Sequence, residues 1–229
     1  ADALQADLNR IDEISEREDA GDRFRLGCLD RRFRTTRYQV ASPGYVAELQ
    51  SAWANMRSQK GGVLVVSGEA GQGRTTGILG LLEPLPKLGV PVLMSRETRH
   101  VEASYTALRD AVDSLMLTQY RDGSSTSETL VRDFIDEVRE RGLQEVLFSE
   151  AVRRDYEFGP EEDASSDFVD VTVEFTKLVT GFAKRQGTTV WYVDELHWAD
   201  YDSREAVYEL AASCIGKNVI LIVSLMRDE

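Results

Sequence analysis

Cysteine is scarce in this chain of 229 residues, which carries only Cys28 and Cys214. The two show no metal-ligand spacing and make no disulfide framework, so they read as reduced packing thiols. Long hydrophobic runs are missing too. No apolar stretch reaches the length of a membrane span, and no secretory signal pattern opens the chain. The expectation is a cytoplasmic protein with no membrane partner. Basic residues are in deficit. There are 27 Lys and Arg against 40 Asp and Glu, for a net charge of −13 and a pI near 4.7. That balance opposes non-specific association with nucleic acid or an anionic membrane. DNA binding by a larger protein would fall to a domain outside this chain. There is no internal repeat. What is present is ordinary globular composition, 42% hydrophobic and 29% charged, on a chain long enough to bury a sizeable core.

One segment, residues 62 to 82, organises the rest. Val63 to Val66 form a continuous apolar run rich in β-branched residues, which predicts a buried strand. Glycines follow, and then Ile78, Leu79, Leu81 and Leu82 return at helical spacing. A strand, a glycine loop and a helix in that order suit a phosphate loop. Gly68, four residues, Gly73, Arg74 and Thr75 fit its pattern everywhere except at Arg74, where lysine is expected. Glycine allows positive φ and close approach of backbone N–H groups to a ligand. Those groups and the helix N-terminus make an anion nest. Thr75 offers a hydroxyl to Mg²⁺. The competing reading is a glycine-rich turn that packs a helix on a strand.

Far downstream, residues 188 to 195 read Thr-Thr-Val-Trp-Tyr-Val-Asp-Glu, a second apolar strand ending in Asp194 and Glu195. After a phosphate loop, an Asp at such a strand end holds Mg²⁺. An adjacent Glu polarises the attacking water. A solvated strand end or a helix start is the plainer alternative for both.

Three blocks carry a family resemblance: Gly68-Glu-Ala-Gly-Gln-Gly-Arg-Thr75, Val193-Asp-Glu-Leu-His-Trp-Ala-Asp200 and Ser224-Leu-Met-Arg-Asp-Glu229. Together they resemble the AAA-like ATPase domain of signal-transduction ATPases with numerous domains. The chain is similar in particular to large ATP-binding transcription regulators of the LuxR type, and to their relatives attached to adenylyl cyclases and protein kinases. The resemblance implies ATP/ADP and Mg²⁺ as cofactors. Gly68, Glu69, Ala70, Gly71, Gln72, Gly73, Arg74, Thr75 and Thr76 would line the nucleotide phosphates. Thr75 and Asp194 would hold the metal. Glu195 and Arg74 would serve catalysis, and Arg227 with Ser224 would sense the γ-phosphate. A frayed C-terminal arginine is the alternative for Arg227. Tyr45 or Val46 would contact adenine or simply pack in the core. His197 would orient Glu195 or be a packed histidine.

The rest of the chain supplies a scaffold. Leu4, Leu8, Ile11 and Ile14 predict an amphipathic helix. Residues 23 to 38 interleave arginines with aromatics, which reads as a hairpin or as a phosphate- or single-strand-binding surface. These make an N-terminal extension, residues 1–41, before a core at 42–229. In that core a helix spans Tyr45 to Trp53. A second strand lies at 90–94, with Pro91 suggesting an edge. Helices follow at 100–120 and 168–184, with a helix or helix pair at 130–148 and loops at 122–127 and 157–167. A helix at 205–214 and a fourth strand at 218–225 complete the pattern.

The expected fold class is α/β. It is a three-layer phosphate-loop NTPase with a mainly parallel sheet and helices on both faces, lacking its last strand and lid. The expected partners are adenine nucleotide and other domains of the same protein or a second protomer. The Arg74 departure leaves three functions open: a slowly hydrolysing ATP switch, a binding-only nucleotide sensor, or a protein-interaction module.

Overall fold

The structure, a computed structural model, describes residues 43–69, 71–96, 103–122, 125–148 and 170–226. All of them lie in the unit Val40–Glu229. The helix and hairpin expected within residues 1–41 and the loop at 157–167 lie outside the described residues.

Helix α1 (Pro43–Ser58) opens on a proline, whose missing N–H costs nothing in the first turn of a helix. It leads into β1 (Gly61–Gly68). Gly61 is obligatory there, because its φ is 133° and a Cβ would collide with the backbone carbonyl of Cys214. The glycine loop and α2 (Arg74–Leu82) follow. Then come β2 (Val92–Arg96), α3 (Thr106–Asp122), α4 (Ser125–Glu140) and the short α5 (Gln144–Leu147). Helix α6 (Val171–Gln186) is capped by the Asp170 carboxylate, which accepts from the Val173 N–H. It stops at Gly187. The chain closes through β3 (Thr189–Asp194), α7 (Tyr201–Ser213) and β4 (Val219–Met226).

The four strands run parallel in the order β1-β4-β3-β2. Parallel strands covered on both faces should be apolar throughout. Every residue of β3 is buried, as are the first six of β4. Alternation sends their side chains to two separate cores. Val190, Tyr192, Ile220 and Ile222 meet Leu49 and Met56 of α1 and Ile78 and Leu82 of α2. Trp191, Val193, Leu221 and Val223 meet α3, α4, α6 and α7 on the opposite face. The buried Trp191 indole is satisfied by Ser95 Oγ at 2.9 Å. Ser95 in turn donates to the Ala107 carbonyl of α3 at 2.5 Å. The parallel α/β sandwich expected from the sequence is therefore present, with β2 at one end of the sheet as Pro91 implied.

Two expectations are corrected. The Val63–Val66 run does form a strand, but only one face of it is covered: Val66 lies in the core with Leu64 packed against it. Val63 is 39% exposed and Val65 56%. They point to the α6–α7 side of the sheet at its β1 edge, beyond the cover those helices give Leu221 and Val223. The loop expected at 122–127 is shorter than predicted. Helix α3 runs to Asp122 and α4 begins at Ser125.

Candidate functional site

The parallel register brings the C-terminal ends of β1, β3 and β4 to one edge of the sheet, where open α/β sheets place their ligands. The glycine loop leaves that edge from Gly68. Gly71 and Gly73 sit at φ 81° and 80°, in the left-handed region that favours glycine. Gln72 braces the loop from within. Its Oε1 accepts from the Glu69 N–H at 3.1 Å, and its Nε2 donates to the Glu69 carboxylate at 3.4 Å. A Cβ on Gly68 would meet that Oε1 at 2.5 Å, so Gln72 would have to shift to admit one. Gly73 caps α2, and Arg74, Thr75 and Thr76 form its first turn. Ala70 lies outside the described residues.

Thr75 and Asp194 are 119 positions apart in sequence, yet Thr75 Oγ1 lies 3.2 Å from both oxygens of the Asp194 carboxylate. Asp194 is 3% exposed, which removes the solvated strand-end reading for it. Ser224 on the neighbouring β4 donates from Oγ to Asp194 Oδ1 at 2.6 Å and accepts from the Glu195 N–H at 2.8 Å. One serine thus ties both acids to the sheet. Glu195 takes a left-handed backbone, φ 57° and ψ 46°. A non-glycine residue held there stores strain, and such strain gathers at functional sites. Arg96 ends β2 opposite Asp194, with Nε 4.0 Å from Oδ2 and its side chain 77% exposed. Tyr192 points to the same side of β3 as Asp194. Its hydroxyl is buried and has no hydrogen-bond partner among the described residues. Burial and the Asp194 carboxylate push its phenol well above the usual range, against a smaller opposing effect of Thr75 and Ser224.

Arg74 lies close beneath the loop. Its Nη1 donates to the Leu225 carbonyl near the end of β4, and its own carbonyl accepts from the Tyr45 hydroxyl at 3.3 Å. Tyr45 packs on α2, where a Cβ at Gly77 would strike its ring at 2.5 Å. Of the two roles open for Tyr45, the structure shows the packing one.

The block after the acids divides into two parts. Leu196–Trp198 make a single 3-10 turn. His197 accepts at Nδ1 from the Met226 N–H at 3.3 Å and packs against Trp198, with ring centroids 4.8 Å apart and planes tilted by 50°. The histidine therefore holds the end of β4. Its Nε2 is buried without a hydrogen bond among the described residues. Asp200 caps α7 and joins it to α3. It accepts from the N–H and Oγ of Ser203, the N–H and Oγ1 of Thr106, and the N–H of Tyr105, at 2.7–3.1 Å. Burial opposes ionisation of this carboxyl, but the Ser203 and Thr106 hydrogen bonds outweigh it and bring its pKa down to about 2.

Several of these groups escaped the sequence reading. Asp200 carried a signal, since an Asp just before a helical stretch is a favoured N-cap. Arg96, the Tyr192 hydroxyl and the Ser224 link to Glu195 carried none, because each depends on strand register. Arg227 lies outside the described residues.

The donor set has a definite chemistry. A hydroxyl and a carboxylate within 3.2 Å of each other are hard oxygen ligands, and Mg²⁺ is commonly held by one or two such groups plus phosphate oxygens. Among the described residues no cluster of three or more His, Cys, Asp or Glu side chains offers an all-protein metal cage. The site therefore fits a metal that arrives with a phosphate ligand. Among the described residues no helix is long and apolar enough to cross a membrane. In comparison with known families, the AAA ATPase domain matches residues 44–222. A comparison with curated proteins gives no significant match.

Proposed function

This chain belongs to the AAA ATPase domain family, which generally binds ATP or ADP with Mg²⁺, and from that premise we propose that it is an ATP-binding, slowly hydrolysing switch domain. Its setting would be a multidomain signalling or transcription-regulatory protein of the LuxR type, with an extension at residues 1–41 and a nucleotide core at 42–229. The observation that carries the reading is the meeting of Thr75 and Asp194 at the mouth of the glycine loop.

Each residue then has a role. The backbone N–H groups around Gly71, Gly73, Arg74 and Thr75 bind the phosphates. Thr75 and Asp194 would hold Mg²⁺, which would supply charge neutralisation on the phosphates. Glu195 takes the proton of the attacking water and orients it. Ser224 fixes Glu195 through its N–H and Asp194 through its carboxylate. Arg227 reads the γ-phosphate. Nucleotide state then biases the arrangement of neighbouring domains, and slow hydrolysis resets it.

A second reading, binding without turnover, is favoured by one observation. The Arg74 guanidinium is engaged with the Leu225 carbonyl, where a phosphate-loop lysine would reach the β- and γ-phosphates. Titration of the protein with a fluorescent ATP analogue, with and without Mg²⁺, tests the shared part of both readings. Saturable, Mg²⁺-dependent binding is expected, and its absence would leave only the interaction-module alternative. Glu195→Gln separates the two readings. It should keep binding and abolish any phosphate release shown by the parent.

A further inference from the structure

The Thr75–Asp194 contact has an unusual symmetry. One hydroxyl hydrogen faces two carboxylate oxygens at an equal 3.2 Å, so it serves neither well, since O–H···O bonds to a carboxylate are normally shorter. Oδ1 has a second, short donor in Ser224. Oδ2 has the distant Arg96 Nε at 4.0 Å, on a largely exposed side chain. Close to this carboxylate and to the Thr75 and Ser224 hydroxyls lies the buried hydroxyl of Tyr192, which makes no well-formed hydrogen bond among the described residues. Tyr192 is 2% exposed, and strand alternation places it on the Asp194 side of β3, two residues away. An under-served acceptor and an unused donor sit side by side.

We propose that Tyr192 is a positioning residue of the metal site, whose hydroxyl donates to Asp194 once a divalent cation fixes Thr75. With its oxygen engaged by a cation, Thr75 would turn its hydroxyl hydrogen to one carboxylate oxygen instead of sharing it between two. The other oxygen then needs a donor, and the Tyr192 hydroxyl is the buried group in reach of it. With that donor the carboxylate would be held in one orientation. Groups that orient a metal ligand in this way change metal affinity without touching the metal. The inference rests on the nucleotide-switch reading above.

Tyr192→Phe keeps the ring and removes only the hydroxyl, so it tests the proposal directly. Two measurements are made on parent and variant: thermal unfolding without divalent cation, and binding of a fluorescent ATP analogue during a MgCl₂ titration. The variant should unfold at the same temperature or higher, because a buried unpaired hydroxyl is removed. Its binding without Mg²⁺ should equal that of the parent. Its Mg²⁺ midpoint should rise about tenfold, the lower end for groups that orient metal ligands. An unchanged Mg²⁺ midpoint overturns the proposal. So does a variant that unfolds earlier and loses Mg²⁺-free binding in parallel, since that is a packing role. A parent that binds no nucleotide at all overturns the nucleotide reading and this inference together, whereas a binding parent with an unaffected variant overturns this inference alone.

Discussion

Asp194 and Asp200 stand six positions apart in one short block, and their surroundings are opposites. Asp200 is saturated. Five donors from α3 and α7 converge on its two oxygens, and the carboxyl is held ionised down to about pH 2. Asp194 is more deeply buried, at 3% exposure, yet it has one short hydrogen bond, one hydroxyl shared between its oxygens, and an idle phenol beside it. A carboxylate that only holds a fold together can be fully satisfied by that fold. One that receives a cation must keep lone pairs open, and buried under-satisfied polar groups are costly enough to need an explanation. The contrast assigns Asp200 to architecture and supports the role proposed for Asp194 in holding a cation.

The largest expected effect is a double dissociation between the two. Asp194→Asn should weaken Mg²⁺-dependent nucleotide binding by about 10–100-fold while changing stability by less than about 1 kcal/mol, since it removes a poorly satisfied buried charge. Asp200→Asn should do the reverse. It turns one acceptor oxygen into a donor that faces other donors, and should cost about 2–3 kcal/mol in chemical denaturation with nucleotide affinity retained in the folded fraction. If each variant damages both properties equally, the two acids do not divide the work.

A smaller effect sharpens the same contrast through pH. The Asp200 carboxyl has a lower pKa folded than unfolded, about 2 against an ordinary 3.8. Its contribution is therefore fully present above about pH 4 and is lost as pH falls through about 2. The stability gap between the parent and Asp200→Asn should be constant near neutrality and shrink across that acid window. A gap that narrows near pH 6 instead would mean that another group controls it.

The contrast also marks how far the sequence could be read. The β1 strand, the glycine loop and α2 were legible because the signals are local: a β-branched run, glycines, then apolar residues at helical spacing. Asp194 and Glu195 were legible as an acidic strand end of the same kind. Their mutual arrangement was not. The Ser224 bridge to Glu195 exists because β3 and β4 pair with Val193 opposite Val223, and a slip of one residue would turn Ser224 to the other face. The left-handed backbone of Glu195 leaves no mark in composition. The exposure of Val63 and Val65 follows from the place of β1 in the sheet, and an apolar run reads the same at an edge as at the centre.

The smallest expected effect concerns Arg74, a group engaged within the fold as the donors to Asp200 are, yet placed at the ligand site. Its guanidinium is a planar fork that bonds the Leu225 carbonyl, and the Tyr45 hydroxyl bonds its backbone carbonyl at 3.3 Å. Arg74→Lys keeps the charge and the second contact but replaces the fork with a compact ammonium on a flexible stem. Loss of the tie to β4 should cost about 0.5–1.5 kcal/mol, the net value of one hydrogen bond. The freed charge can then reach the β- and γ-phosphates, and phosphoryl transfer depends almost wholly on such positioning and electrostatics. Turnover should therefore rise by a measurable factor in a phosphate-release assay, while affinity for the ATP analogue changes less. A lysine variant that is less stable but no faster would show that the Leu225 contact serves the fold and that turnover is limited elsewhere. A variant that binds far tighter without turning over would favour the binding-only sensor.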